Sequence, residues 1–200
     1  MRLGKDLINK PIYSIDEGKL LGKVQDIYLD STLEVVLGLY TGSQGLVRRK
    51  AEFIRSGDVV VFGADAVLVR GSDVVTDDSA TPAAQEWIRR EKLIGREADT
   101  PGGTRLAVIG DVIVDPSGRI TGFALSRTYV EGPLAEKRVI SRSVVIDTGQ
   151  EDGRMTVDLS KLEESLLNAE AVPLAVESVG DIPASKVDPS TLFVDPSATE

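Results

Sequence analysis

The residues best suited to chemistry lie in two similar stretches. VQDIYLD at 24–30 and IGDVIVD at 109–115 each enclose three residues between aspartates, Asp26 with Asp30 and Asp111 with Asp115. Paired carboxylates can hold a divalent cation or share a proton in acid–base catalysis. Recurring aspartates can also mark one structural element that the chain uses twice.

Strand geometry argues against a site within either pair. Both stretches are rich in β-branched and large apolar residues, which favour strands. Side chains alternate along a strand, so Asp26 and Asp30 share one face while Ile27 and Leu29 share the other. At a rise of roughly 3.3 Å per residue the two carboxylates lie about 13 Å apart, too far to bind one ion. We therefore predict no metal site.

The end aspartates have a simpler structural role. Asp30 precedes Ser31-Thr32, and Asp115 precedes Pro116-Ser117-Gly118, which are turn sequences. A carboxylate at such a position can accept backbone N–H groups and fix the turn. Asp26 is assigned to the face opposite the core residue Ile27, so Asp26→Asn is expected to be mild and Ile27→Asp disruptive.

Other catalytic devices are scarce in this sequence. It contains no cysteine and no histidine, which excludes disulfides, thiolate nucleophiles, Cys/His zinc sites and the serine triad that depends on histidine. The glycine-containing loops at 41–45 and 101–104 lack a phosphate-binding fingerprint and are predicted to be turns. We expect a protein that is not an enzyme and that needs no cofactor.

Charge and hydropathy narrow the possible partners. The net charge is −9, and residues 161–200 carry two basic against eight acidic side chains. Nucleic-acid binding needs surplus cations, and the basic run at 48–50 is explained by solvation alone. No stretch approaches the roughly 20 apolar residues of a membrane span. A soluble, cytoplasmic protein is expected.

The elements that position these residues are mainly strands. Residues 1–75 contain short strand patterns separated by turn residues such as Asp16-Glu17-Gly18, which predicts an all-β fold with a small antiparallel barrel. Residues 76–94 are predicted to form a helical connector of about ten helical residues, in which Trp87 packs between the flanking units. Residues 159–200 are predicted to form a helix with one apolar stripe, followed by a loosely ordered or extended acidic tail.

Strand patterns return from residue 95 and repeat those of the first part. Residues 26–30 match 111–115 at an offset of 85, Gly38 matches Gly122 at 84, and Gly63 matches Gly149 at 86. Small changes of offset that fall in loops indicate a duplication. The predicted domains are therefore 1–75 and 95–158, two barrels in tandem.

The first part also resembles a known family. The sequence LGKDLINKPIYSIDEGKLLGKVQDIYLD, followed by VVLGLYTG and FIRSGDVVVFG, is similar to the PRC-barrel pattern. The matching positions are Gly22, Lys23, Val24, Asp26, Asp30 and Gly38. Residues 95–158 fit more loosely, since Ala107-Val108-Ile109-Gly110 replaces the leading Gly-Lys.

The resemblance implies a docking or assembly role through protein contacts. Family members include the cytoplasmic domain of the photosynthetic reaction-centre H subunit and the carboxy-terminal half of a ribosome maturation factor. Neither that membrane helix nor that RNA-directed domain is matched here, so these accessory roles are less favoured. The partner could be a different protein or a second copy in a homodimer. The alternative is a small-ligand or metal-ion binding protein with its site between the barrels.

Two barrels side by side leave strand edges and a groove that can receive a partner. The candidate contact residues are aromatic residues of the first barrel and the loop at 128–138 of the second. They are Tyr40, Phe53, Tyr129, Glu131 and Arg138.

Overall fold

The structure, a computed structural model, describes residues 1–44, 50–150 and 153–168. Short strands dominate this part of the chain, so the predicted all-β fold is confirmed. The first half contains β1 (Arg2–Leu3), β2 (Pro11–Ser14), β3 (Leu20–Lys23), β4 (Asp26–Leu29), β5 (Val36–Gln44), β6 (Lys50–Arg55), β7 (Val59–Phe62), β8 (Val67–Val69) and β9 (Val75–Asp77). The basic run at 48–50 lies outside the described residues except for Lys50.

The second half continues with strands and two α-helices. The strands are β10 (Ile88–Arg89), β11 (Glu97–Asp99), β12 (Arg105–Val114), β13 (Ile120–Thr128), β14 (Val139–Ser141), β15 (Val145–Asp147) and β16 (Arg154–Val157). The helices are α1 (Pro133–Lys137) and α2 (Leu159–Asn168). Helix α2 confirms the predicted helix and buries Leu162 and Leu166. The predicted acidic tail from residue 169 lies outside the described residues.

Three curved sheets contain these strands. A four-stranded sheet has the order β3-β2-β8-β7, and a five-stranded sheet has the order β10-β4-β5-β6-β9. The seven-stranded sheet has the order β14-β13-β12-β11-β16-β15, with β1 pairing to β12. β12 is long because it covers, without a break, the positions that β3 and β4 occupy in the first half.

The two halves share their strand pairings except that of β6 with β9, which has no counterpart in the described residues of the second half. β2 pairs in parallel with β8, and β11 pairs in parallel with β16. Gly38 and Gly122 occupy equivalent positions, where an added Cβ would lie 2.7 Å from the carbonyl oxygen of Ile54 and 2.6 Å from that of Ile140. Glycine is required at both positions because a neighbouring backbone passes too close for a side chain.

The halves are interlocked by an exchange of strands. β1 of the first half pairs with β12, and β10 pairs with β4 of the first half. Val35 also forms an isolated antiparallel β-bridge with Arg119. Arg119 is the residue of the second half that corresponds to Val35, at an offset of 84. An antiparallel contact between a position and its counterpart has the geometry of a twofold-symmetric interface. One buried core accordingly includes apolar residues of both halves.

The segment between the halves differs from its prediction. Two short 3-10 helices lie there, Pro82–Glu86 and Arg90–Lys92, and strand β10 separates them. The predicted connector of about ten helical residues is therefore wrong in length and type. The pairing of β10 with β4 accounts for the difference, because Ile88 and Arg89 are extended to pair with β4 and cannot belong to a helix at the same time.

Candidate docking surfaces

The inner aspartates of the repeated stretches are buried and structural. Asp26 and Asp111 are each 3% exposed. The Asp111 carboxylate accepts the backbone N–H of Lys5 at 3.0 Å, and the Asp26 carboxylate accepts that of Glu91 at 3.1 Å. The two donors lie in the 3-10 helices Gly4–Leu7 and Arg90–Lys92, which follow the exchanged strands β1 and β10. Each aspartate therefore fixes the 3-10 helix that follows the strand paired with its own strand.

Each of these carboxylates also has a cationic partner. Arg90 Nε lies 2.5 Å from Asp111, and Arg89 Nε lies 3.5 Å from Asp26. The expectation that Asp26 tolerates Asn because it faces away from the core is therefore wrong. The segment that follows Trp87 covers this strand, and sequence periodicity does not reveal that cover.

The outer aspartates behave as predicted. Asp30 accepts the backbone N–H groups of Glu34 at 2.7 Å and Val35 at 2.6 Å. Asp115 accepts that of Ser117 at 2.8 Å, and the hydrogen bond from the Ser117 hydroxyl lowers the pKa of the Asp115 carboxyl. Both residues stabilise turns. Within the described ranges, no three carboxylates are grouped as a metal ion would need.

Two of the five predicted contact residues lie in an aromatic cluster. Phe53 is fully buried and Tyr40 is 8% exposed. Tyr28 packs edge-to-face on both, at ring-centroid distances of 5.7 Å to Phe53 and 5.9 Å to Tyr40. Trp87 covers the cluster, 5.1 Å from Phe53. The prediction of Tyr40 and Phe53 as surface contacts is wrong in this structure, because the connector seals the face on which they lie.

The cluster also changes the chemistry of its polar members. Burial raises the pKa of the Tyr28 phenol, so this group ionises at a higher pH than an exposed tyrosine does. The Arg89 guanidinium lies over the Tyr40 ring at 4.2 Å from its centroid. A cation–π contact of this kind holds the arginine against the first half, and 30% of its side chain is exposed.

The other three predicted residues are exposed. Tyr129, Glu131 and Arg138 lie at the end of β13 and around α1. The backbone N–H of Tyr129 is bonded to Leu106, and the guanidinium of Arg138 donates to the carbonyl oxygen of Ser126 at 2.6 Å. A partner contact by these three residues stays a prediction.

An apolar surface appears on the four-stranded sheet that the sequence did not single out. Paired positions run from Leu20 to Tyr13, then to Leu68 and Val61, across all four strands. Because directly paired side chains share one face, these four residues form a continuous row, here named the apolar row. Leu20 is 49% exposed, Val61 43% and Tyr13 39%.

The second half provides an internal comparison for this row. The same paired positions there are Arg105, Asp99, Thr156 and Asp147. The β-bulges also recur. The extra residue is Leu21 on β3 and Leu106 on β12, and it is Val60 on β7 and Ile146 on β15, so the strand register is equivalent in the two halves. The same pairings are thus made with polar side chains, and the strand arrangement does not require the apolar ones.

A second surface lies where the connector meets the two halves. An open groove of about 460 Å³ is lined by Tyr28, Trp87 and Ile88 on its apolar side and by Arg89, Lys92 and Arg96 on its basic side. Gln150 of the second half borders it. This is the region between the barrels where the alternative prediction placed a ligand.

Sequence reasoning anticipated a groove between the halves but missed the apolar row. Tyr13, Leu20 and Val61 lie in segments that were correctly predicted as strands, and their alternation with core residues is visible. Their alignment in one row depends on the strand order and on the extra residues at Leu21 and Val60. A comparison of the two repeats position by position would have revealed the apolar-to-polar change.

Comparison with known proteins identifies the first half. Residues 1–76 of the 200-residue chain match the sequence model of the PRC-barrel domain. The match covers the predicted first domain, 1–75, and ends at the first residue of the connector. No curated protein matches the chain. In the described residues, no helix is both long and apolar enough to cross a membrane.

Proposed function

We propose that this PRC-barrel protein is a non-enzymatic docking module that binds another protein through the apolar row. PRC-barrel domains are associated with protein interaction and assembly, and the match covers the half that bears the row. The observation that carries the proposal is the contrast between the two halves. Equivalent strand positions are apolar in the first half and polar in the second, which points to a use for the apolar side chains beyond folding.

The partner is a different protein with a complementary apolar surface. The formal net charge of −9 opposes the approach of two identical chains. Burial of Leu20, Tyr13 and Val61 would contribute roughly 25 cal/mol for each Å² of apolar surface removed from water. Polar residues at the ends of the sheet would form the rim of the interface.

The second half is proposed to be a second PRC-barrel-like domain that supports the first. Its strands repeat the order and pairings of the first half except for β9, and it contributes the segment Ile113–Val114 to which β1 pairs. In this arrangement the second copy stabilises the docking half through the exchanged strands. The four counterpart positions of the second half are polar, so among the residues that the structure describes the apolar row belongs to the first half alone.

Capture of partners from the native cell tests the proposal. The tagged parent chain is compared with Val61→Asp and with Ile146→Asp, which places the same charge on the equivalent sheet of the second half, where Ile146 is 61% exposed. Both substitutions lie on the surface and should leave stability nearly unchanged. A specific partner should be recovered with the parent and with Ile146→Asp, and lost with Val61→Asp.

Two results would contradict the proposal. Recovery of the same proteins with all three chains would exclude the apolar row as the docking surface. A parent chain that forms a dimer in light scattering, and that becomes monomeric with Val61→Asp, would assign the row to self-association instead.

A further inference from the structure

The groove between the connector and the two halves combines apolar and basic side chains. Trp87 and Ile88 form part of its apolar side, and Arg89 and Lys92 belong to its basic side. Lys92 is exposed, whereas the side chain of Arg89 is 30% exposed and contacts Asp26 and Glu91. Of the residues that line the groove in the described part of the chain, none is acidic.

The fold does not require this concentration of positive charge. At an offset of 86, Arg89 corresponds to Leu3 and Lys92 corresponds to Asp6. Leu3 takes part in the equivalent exchanged strand, pairing with Ile113 as Arg89 pairs with Tyr28. The same exchange is thus made without a cation at either position, and the basic pair is specific to this groove.

The shape of the groove favours an extended chain over a small molecule. Small-ligand sites bury roughly 70–90% of their ligand in a concave pocket, whereas this groove is open to solvent. An extended peptide can place one large side chain against the apolar wall and its charged neighbours against the basic wall. Carboxylates match guanidinium and ammonium groups by charge and by hydrogen bonding.

We propose that the groove binds an acidic peptide segment of the partner protein, with one large apolar side chain against Trp87 and Ile88 and carboxylates against Arg89 and Lys92. This inference rests on the proposed docking function and adds a second contact to it. The apolar row then holds the folded part of the partner, and the groove selects for an acidic segment.

Peptide binding to the full chain tests the inference. Fluorescein-labelled peptides of sequence EDELFEDE, QNQLFQNQ and KRKLFKRK are titrated in anisotropy measurements, and Trp87, the only tryptophan, is followed by fluorescence with the unlabelled peptides. The acidic peptide should bind at least about tenfold more tightly than the neutral one. Its affinity should fall between about 0.1 M and 1 M salt, where the screening length shrinks from about 10 Å to 3 Å.

Matched variants locate the peptide. Lys92→Glu should weaken binding of the acidic peptide by about threefold to tenfold, as reversal of one exposed charge allows. Lys23→Glu makes the same change at an exposed position on β3 and should leave the affinity unchanged. Val61→Asp should also leave it unchanged, which separates this inference from the docking proposal.

The inference is overturned by equal affinity for the acidic and neutral peptides, or by equal effects of Lys92→Glu and Lys23→Glu. Loss of partner capture with Val61→Asp, together with no peptide binding, would leave docking intact and reject the groove. An unchanged Trp87 signal on saturation would also reject it, since the proposed apolar side chain contacts that ring.

Discussion

Replacement of Asp111 by alanine should destabilise the protein far more than replacement of Asp115, four residues away. The side chain of Asp111 is 5% exposed and accepts the Lys5 N–H at 3.0 Å, the Val112 N–H at 2.8 Å and Arg90 Nε at 2.5 Å. Alanine would leave two backbone donors and a guanidinium of 14% side-chain exposure without that carboxylate.

The expected magnitude follows from these contacts. Removing one partner of a buried ion pair costs about 3–5 kcal/mol, and an orphaned buried N–H group costs about 1–3 kcal/mol. These terms overlap because they share one carboxylate, so we expect a loss of about 3–5 kcal/mol in the free energy of unfolding. That is a large share of the roughly 5–15 kcal/mol typical of folded proteins.

Urea unfolding measures this loss. Circular dichroism follows the strands, and Trp87 fluorescence follows the connector, which contains the exchanged strand β10. Asp115→Ala is the control, since this aspartate lies at an exposed turn, and its effect should be small. The reasoning would be refuted if Asp111→Ala and Asp115→Ala shifted the unfolding midpoint equally at the same m-value.

Two further predictions concern a close backbone contact and a surface carboxylate. Gly38→Ala should destabilise by about 1–3 kcal/mol in urea unfolding, because its Cβ would lie 2.7 Å from the Ile54 carbonyl oxygen. Gly57→Ala, with no atom within 4 Å of its Cβ, should be neutral or slightly stabilising, and equal effects of the two changes would contradict the packing argument. Hydrogen bonds from the Ser79 hydroxyl and nearby backbone lower the pKa of Asp77 to about 2. A depressed pKa stabilises the folded state above the ordinary value of 3.8 and ceases to do so as the pH falls through about 2. The excess in Tm of the parent over Asp77→Asn should therefore be largest above about pH 4 and shrink towards pH 2, and a pH-independent difference would contradict this linkage.

The strand content was predictable because it depends on local patterns. Alternation around Ile27 identified β4, and turn chemistry correctly assigned Asp30 and Asp115. The exchange of β1 and β10 was not predictable, since Ile88–Arg89 is too short to carry a period and its partner is about sixty residues earlier in the chain.

Burial on the second face of β4 was missed for a related reason. Alternation separates the two faces of a strand, but it does not tell whether a later segment covers the polar one. Trp87 and the residues after it cover Tyr28 and Asp26, which converts a strand predicted to be half-exposed into one buried on both faces. Trp87 also packs on Phe53, so Phe53 is buried and does not lie on the predicted partner surface.

Photocrosslinking inside the native cell tests the docking account most directly. A benzoylphenylalanine residue is placed at Leu20 in the apolar row, or at Arg105, the equivalent position of the second half, and the cells are irradiated. The account predicts a discrete adduct with a different protein from position 20 and none from position 105. Equal adducts from both positions, no adduct from position 20, or an adduct with the mass of two identical chains would contradict it.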